Sequence, residues 1–459
     1  MRRAVSLMLM TVVLPGSAQI AAGRKRLGHY ALRAFAVGAL FVLGLALTAL
    51  VSRDRILIWF TNVWFLGLLR FALIGYAIAW AYLIIDAWRI ANPLSLRQNQ
   101  RLAMTALNGV LCLSLTGALL YASQLVAEEK GFIQTVFGHG SASKAEDGRY
   151  NVLLLGGDAG ADRIGLRPDS MTLVSIDQRT GRTVLFSLPR NLANVPFPAG
   201  TVMAKQFPDG FTGKGCEDDC MLNAVNTWAD DHESLFPGVE NPGILATSQA
   251  VEAVTGLPVN YYVMVDLRGF QDLVDAVGGI DLNVRQEVPI GGIGGAITDT
   301  IKPGKQTLNG YQTLWYARSR VWSSDYSRMA RQKCVLNAML QQLDPKTVLT
   351  KFGAIADAGK EILSTSIPAS EIHTFVGLSL KARGLPVTTV SFVPPKINTG
   401  DPDFRLIRLM VATAVAKSEA AGTSRAPGHP VKRPTSLGDK DSYRDSYAAN
   451  DTSDLSRSC

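Results

Sequence analysis

Four arginines and one aspartate crowd the stretch YARSRVWSSDYSRMARQ, residues 316–332. Guanidinium groups at that density suit an anion, because their forked donors match carboxylate or phosphate oxygens in pairs. Ser323 or Ser324 is the expected N-cap of a helix running from Asp325 to about Leu343. At about 100° per residue, Asp325, Arg328, Arg331 and Gln332 fall within one sector roughly 120° wide. Leu336, Met339 and Leu343 continue that sector, whereas Tyr326, Ala330, Lys333, Asn337 and Gln341 form the opposite, mostly polar side. The arginines therefore begin the face that becomes buried; a solvated charge run would sit on the other side. Buried or half-buried arginines require anionic partners, and the helix N-terminus adds a positive field of its own. Arg318 and Arg320, two apart in a segment expected to be extended, point together. The pattern fits an anion site, with an internal salt-bridge network as the plainer alternative.

A second cluster lies upstream. Asp158 ends NVLLLGGD, Arg167 and Asp169 stand in LRPDS, and Arg190 follows in SLPRN. DSMTLVSID and RTVLFSLP are strand-like runs joined through QRTG, so a hairpin with Gly181 in its turn puts Asp169 and Arg190 on one sheet edge. Asp158 joins them if the first strand runs in the direction of the third. Two carboxylates beside two arginines suit a divalent cation bridging phosphate oxygens, with the guanidiniums holding the remainder. The plain alternative is that strand ends are exposed and charged in any case.

The elements that must carry these residues alternate between strand and helix. NVLLL, YYVMVDL and IDLNV read as strands, and RGFQDLVDAVGG, ILATSQAVEAVTGL (closed by Gly256) and SRMARQKCVLNAMLQQLD as helices. The economical fold class is α/β, a layered α-β-α domain with a mixed central sheet. Its expected limits are 151–418, after a polar connector at 127–150 and before a disordered tail at 419–459 poor in large apolar residues. VMVDLRGFQDLVDAV is core by default, or else the lining of a channel for a hydrocarbon tail. GGIGGA is a loop without strand–turn–helix context, and the histidines lack ligand spacing.

Residues 29–126 read differently. The chain is 47% hydrophobic and 18% charged, which points to membrane segments. Apolar runs at 29–51, 57–88 and 102–126 make about three spanning helices, the second long or tilted with an interfacial start. Residues 1–28 are expected to be a cytoplasmic, interfacial or re-entrant segment. Basic residues gather before the first span (Arg2, Arg3, Arg24, Lys25, Arg26) and in the second connection (Arg89, Arg97, Arg101), which places both on the cytoplasmic side. Three spans then leave the α/β domain outside the cell. The net charge of +8 suits an anionic partner such as a phospholipid surface or a phosphate-bearing substrate. Nucleic acid is excluded as a partner by the lack of any zinc-ligand spacing or aromatic RNA-binding motif. Cys216 and Cys220 can close a small disulfide loop in an oxidising exterior, or be half of a metal site that lacks two further ligands; Cys334 and Cys459 have no evident partners.

At these residues the chain resembles the LytR–CpsA–Psr (LCP) family of envelope glycopolymer transferases, in its actinobacterial form. NVLLLGGDAG, LRPDSMTLVSID, VLFSLPRN, MLNAVNTWA, YYVMVDLRGFQDLVDAVGGIDLNV, LNGYQTLWYARSR and DYSRMARQ match in the family's order across about residues 150–345. The resemblance implies the LCP fold on a membrane-anchored extracytoplasmic domain that binds a polyprenyl-pyrophosphate-linked glycan. It implies transfer of the glycan phosphate to peptidoglycan, with release of polyprenyl phosphate. Asp158 and Asp169 match magnesium-associated positions, and Arg167, Arg190, Arg318, Arg320, Arg328, Arg331 and Gln332 match pyrophosphate-binding ones. Asp325 matches an acidic residue that serves as base or as orienter of arginines. Val265 and Phe270 fall in the block tied to the lipid pocket. Asn191 and Met221 depart from the aspartate and lysine common in the family, which removes acid or amine chemistry there. The glycan is left open among arabinogalactan-type, teichoic and capsular polymers and a glycan destined for a surface protein. A pyrophosphatase with water as acceptor, and a non-enzymatic envelope binding or regulatory protein, are the alternative functions.

Overall fold

A computed structural model describes residues 2–92, 95–137, 141–158, 167–213, 215–216, 220–292, 295–342, 363–423, 450 and 454–455. The chain divides into two compact units, Met1–Thr135 and Val136–Cys459.

In the first unit, α1 (Arg2–Val13) and α2 (Ser17–Ala21) precede the long α3 (Lys25–Val51). Gly16 turns the chain between the first two with φ of 95°. A Cβ there would collide with the Gly28 carbonyl, so the close return of α3 depends on both glycines. The run 57–88, expected as one helix, is split into α4 (Arg53–Phe60) and α5 (Val63–Ile90). Asn62 makes the break: its side chain accepts the Trp64 and Phe65 N–H groups at 3.0 and 3.1 Å, capping a new helix. α6 (Gln98–Phe137) continues into the expected polar connector, which is helical as far as Phe137. Helices α3, α5 and α6 are each long and apolar enough to cross a membrane. The 27 residues of α3 rise about 40 Å, more than the roughly 30 Å hydrocarbon core of a bilayer.

The second unit opens with β1 (Arg149–Asp158), β2 (Arg167–Asp177) and β3 (Thr183–Leu188), followed by α7 (Val202–Gln206), α8 (Ala224–Asp231) and α9 (Pro242–Thr255). Then come β4 (Tyr261–Asp266), α10 (Leu267–Val277), β5 (Ile280–Val284), β6 (Val288–Gly291), β7 (Ile297–Ile301) and β8 (Gly304–Leu308). α11 (Gly310–Arg318), α12 (Asp325–Gln342), β9 (Leu363–Thr365), α13 (Ile372–Ala382), β10 (Thr388–Ser391) and α14 (Phe404–Thr423) complete it. Six strands form one mixed sheet in the order β10-β3-β2-β1-β4-β9. β1 runs parallel to β4 and β3 to β10, while β2 is antiparallel to both of its neighbours.

Alternation along the strands splits the sheet into two working faces. Leu153, Leu173 and Phe186, partners across three strands, point into a core completed by Val225 of α8, Val251 of α9 and Val411 of α14. Leu154, Thr172 and Ser187 point the other way, toward a cavity beneath α10 and α12. Those two helices also pack with α11, β5 and β8 around a smaller core of Val274, Leu282, Leu308, Tyr316 and Val335. The result is the layered α-β-α arrangement expected from the sequence.

Two expectations need correction. Ala330 and Lys333, assigned to the solvated side of α12, are 8% and 4% exposed. The periodicity located the cavity side, but the other flank is covered as well, with the Lys333 ammonium donating to the Asn450 carbonyl at 3.4 Å. The tail is not wholly free either. α14 passes the expected boundary at 419 and ends at Thr423, and Leu455, 1% exposed, donates its N–H to the Val387 carbonyl at 3.0 Å. Average composition misses such docking, which rests on single residues.

Candidate functional site

Strand directions gather the upstream cluster. With β2 antiparallel to both neighbours, the end of β1, the start of β2 and the end of β3 share one sheet edge. Asp158 and Arg167 are Cα partners in the last rung, where the ladder has just slipped register between Gly156 and Gly157. The side-chain placement of Asp158 and Arg167 lies outside the described residues. Asp169 follows on β2, and Arg190 stands just beyond β3.

α12 brings the downstream cluster to the same edge. Ser324 caps the helix, its Oγ accepting the Ser327 N–H at 3.2 Å, so Asp325 occupies the first turn and Arg328 the next. Arg190 joins the two clusters: its Nη1 donates to Asp169 Oδ1 at 2.9 Å and its Nε to Asp325 Oδ2 at 2.8 Å. Arg320 reaches Asp325 Oδ1 at 3.7 Å. Arg328 stands back, with Nη1 3.7 Å from Asp169 Oδ2 and Nη2 3.8 Å from Asp325 Oδ2. Its side chain is 3% exposed and, among the described residues, its Nε has no hydrogen-bond partner.

Proton affinities follow this geometry. Burial works against both guanidiniums. For Arg190 the bonded carboxylates of Asp325 and Asp169 outweigh burial and raise its pKa. For Arg328 burial wins over the same two carboxylates, and its pKa is lowered. Asp325 is disfavoured by burial, yet Arg328, Arg190 and Arg320 together hold its carboxyl below the usual range. A carboxylate held that firmly ionised orients guanidiniums well and accepts protons poorly.

Arg331 has a different task. Its Nε donates to the Tyr316 carbonyl at 2.7 Å, one Nη bonds the Ser319 carbonyl and the other donates to Ser323 Oγ at 3.4 Å. It thereby clamps the α11–α12 connection, and burial lowers its pKa to about 10. Arg318, expected in an extended lead-in, is instead the last residue of α11 and sits 5.6 Å from the centre of the Trp315 ring. The capping box of Asn309 and Gln312 starts that helix, which ends where an extended lead-in was expected.

Part of this cluster borders one cavity of about 310 Å³. Arg190, Arg318, Arg328, Asp169 and Gln332 line its polar end. Gln332 is fixed there, its Oε1 accepting from Ser170 Oγ at 3.2 Å and its Nε2 donating to the Ala317 carbonyl at 3.3 Å. Leu154, Val265, Phe270, Leu314, Met329 and Leu336 make the apolar walls, so the channel alternative for the α10 stripe describes the cavity better than a closed core. A deep apolar slot under a cationic rim suits an amphiphile with a hydrocarbon tail and an anionic head. Among the described residues no three His, Cys, Asp or Glu side chains cluster to hold a metal ion.

A hydrogen-bond chain beside the site escaped the sequence. Thr399 Oγ1 lies 3.1 Å from the Tyr326 hydroxyl and accepts from Asn191 Nδ2 at 3.3 Å. It links the start of α12 to the loop after Arg190. Tyr326 carries no signal for this role, because its position on the helix wheel reads as solvent-facing. Cys216 and Cys220 are joined in a disulfide.

Residues 122–393 match the model of the LytR_cpsA_psr family. The chain is 28% identical over 234 residues to a polyisoprenyl-teichoic acid–peptidoglycan teichoic acid transferase, TagU of Oceanobacillus iheyensis, a match covering 50% of this chain and 63% of the relative. It is 27% identical over 208 residues to the transferase TagV of Bacillus subtilis, covering 45% of this chain and 46% of the relative. It therefore spans less than two thirds of the length of these curated relatives. The crystal structure of Bacillus subtilis TagV superposes with a TM-score of 0.43 at 24% identity, covering 60% of this chain and 98% of that one.

Proposed function

The chain belongs to the LytR_cpsA_psr family, and from that premise we propose that it is a membrane-anchored phosphotransferase. It takes a glycan phosphate from a polyprenyl-pyrophosphate carrier, attaches it to peptidoglycan and releases polyprenyl phosphate. The observation that carries this reading is Arg328, a guanidinium 3% exposed at the head of an apolar cavity, with its Nε unpartnered among the described residues and both carboxylates beyond hydrogen-bond distance. A buried cation so arranged reserves its donors for an incoming anion.

The donor lies with its prenyl chain against Val265 and Phe270 and its pyrophosphate at the rim formed by Arg190, Arg318 and Arg328, with Arg320 beside it on Asp325. An acceptor hydroxyl of peptidoglycan attacks the phosphorus nearer the sugar. A new P–O bond forms, the bridging P–O bond breaks, and its electron pair leaves on polyprenyl phosphate. The charge that develops on that leaving group is met by Arg328 and Arg190, already oriented by Asp169 and Asp325. The hydroxyl proton passes to solvent rather than to Asp325, which is held ionised and ion-paired.

Magnesium is part of the proposal. Asp169 Oδ1 is taken by Arg190 while Oδ2 makes a longer contact with Arg328. Asp158 stands on the neighbouring strand end. One or two carboxylates with substrate phosphates and water are a donor set that Mg²⁺ accepts. Bound there, the ion would neutralise phosphate oxygens during transfer. Three spanning helices would hold the α/β unit outside the cell, where peptidoglycan lies, and the Cys216–Cys220 disulfide supports that side.

The test is the purified full chain with magnesium, a polyprenyl-pyrophosphate oligosaccharide and uncrosslinked peptidoglycan. The expected product, read by mass, is glycan joined to peptidoglycan through phosphate. Free glycan phosphate without joined product would make the protein a pyrophosphatase, and tight donor binding without turnover a binding protein.

A further inference from the structure

We infer that Trp322 binds sugar: its indole stacks on the face of the donor's first pyranose ring, the ring that carries the phosphate, which rests on the proposed seating of the pyrophosphate at the arginine rim.

Arg320, Val321, Trp322 and Ser323 form the turn between α11 and α12, closed by the Ser323 N–H donating to the Arg320 carbonyl at 3.1 Å. Trp322 is the third residue of that turn and has φ of 61°. A positive φ at this position ordinarily belongs to glycine or asparagine; a bulky side chain there is strained. Such strain persists only where the surroundings over-determine the backbone, and here they do. Arg331 bonds the Ser319 carbonyl and Ser323 Oγ, one on either side of Trp322. Val321 is pressed against Gly292, where a Cβ would stand 2.8 Å from Val321 Cγ2. Arg320 is drawn to Asp325 at 3.7 Å.

What this frame holds up is an open aromatic ring. Trp322 is 64% exposed. The other two tryptophans of the α/β unit are packed, Trp228 at 8% exposed and Trp315 against the smaller core. One exposed apolar side chain is ordinary on a protein surface. A large one, held rigid in a backbone conformation that favours glycine, points to a ligand.

Its place in the chain selects that ligand. Trp322 stands two residues after Arg320 and three before Asp325, and both belong to the ion-pair network that continues through Arg190 and Arg328. The cavity behind that network is walled by apolar side chains and takes the prenyl chain. The glycan therefore lies outside it, beginning one ester bond from the phosphate. A pyranose whose ring substituents are equatorial turns axial C–H groups outward on its faces, and these faces are the apolar part of a sugar. An indole covers such a face with a large flat area and loses little conformational freedom in doing so, while its N–H stays able to reach a hydroxyl. Stacking there also fixes the sugar-side phosphorus against the arginines.

The experiment titrates the purified full chain, in detergent micelles, with two probes: polyprenyl pyrophosphate bearing one N-acetylglucosamine, and polyprenyl pyrophosphate alone. The wild type should hold the sugar-bearing probe about tenfold more tightly, the scale of one aromatic contact. Trp322→Gly should abolish that preference and leave affinity for the bare pyrophosphate unchanged. It should not lower the melting temperature, because glycine takes the φ of this turn without strain. Trp322→Phe should keep most of the preference. Equal affinity of the wild type for the two probes overturns the platform, as does a preference that survives Trp322→Gly. Equal loss for both probes in Trp322→Gly makes the indole a contact of the prenyl chain or the lipid surface, and overturns it too. A wild type that prefers the sugar through Trp322 but transfers nothing counts against the transferase reading alone. One that binds neither probe overturns the donor site, and the platform with it.

Discussion

Arg328 and Arg190 share the same two carboxylates, and the structure gives them opposite energetics. At an effective dielectric of about 20, a unit charge pair at the 3.7 Å of Arg328 and Asp169 attracts by about 4.5 kcal/mol. The pairs at 2.8 and 2.9 Å made by Arg190 attract by about 6 kcal/mol each and are direct hydrogen bonds besides. Against these stands a desolvation cost of several kcal/mol for each buried ion. For Arg190 the sum favours the charge, as its raised pKa says. For Arg328, more deeply buried and repelled by Arg190 and Arg320, burial prevails over its contacts with both Asp325 and Asp169, and its pKa is lowered. The fold thus carries the charge of Arg328 against burial, as a charge kept for a bound anion would be. Arg328→Met, which keeps volume and removes charge, should leave the melting temperature unchanged or raise it. Transfer to peptidoglycan should fall by about 10² to 10³, the equivalent of roughly 2.7–4 kcal/mol of transition-state stabilisation. Arg190→Met should lower both, since it strips Asp169 and Asp325 of their direct partner. The assays are calorimetry on the full chain and single-turnover glycan transfer. Arg328→Met transferring within about threefold of wild type, or melting as low as Arg190→Met, would refute the reasoning.

Asp325 has a lowered folded pKa, so its stabilisation is complete above the ordinary carboxylate range near 4 and is lost as pH falls through the lower folded value. The rate should hence stay level from neutrality to about pH 5, and Asp325→Asn should lower it at every pH; a limb near pH 6 to 7 that Asp325→Asn abolishes would make Asp325 the base instead. Val265→Trp fills the apolar slot and should raise donor KM at least about tenfold for a long prenyl chain, while a donor with a short chain is used as before; equal losses would place the tail elsewhere. Chelation should abolish transfer, and Asp158→Asn should raise the magnesium needed for half-maximal rate by about tenfold. An unchanged requirement would remove Asp158 from the ion. An alkaline phosphatase fused after Ala145 should be active, whereas an inactive fusion with expressed protein would put the domain in the cytoplasm and undo the proposed function.

How far the sequence could lead is visible in which contacts were local. Asp169 and Arg190 were legible together because a hairpin fixes strand direction and QRTG marks its turn. Asp325 and Arg328 were legible because helical period puts them on one face, and the cap at Ser324 lies where a serine pair stands. Asn62 is a capping residue inside an apolar run, and hydropathy alone, blind to caps, merges into one span what it splits into two helices. Arg331 shows a stricter limit. Periodicity gave its sector correctly, but its donors go to Tyr316, Ser319 and Ser323, and the geometry of a connecting turn is set by contacts no period encodes. Lys333 marks the same limit at longer range, since what covers it is Asn450, more than a hundred residues away in the chain. A helix wheel divides a helix into two sides and assumes that water takes one of them. On α12 the cavity takes one side and the chain itself the other, which is why the arginine cluster can be rigid enough to wait for its anion.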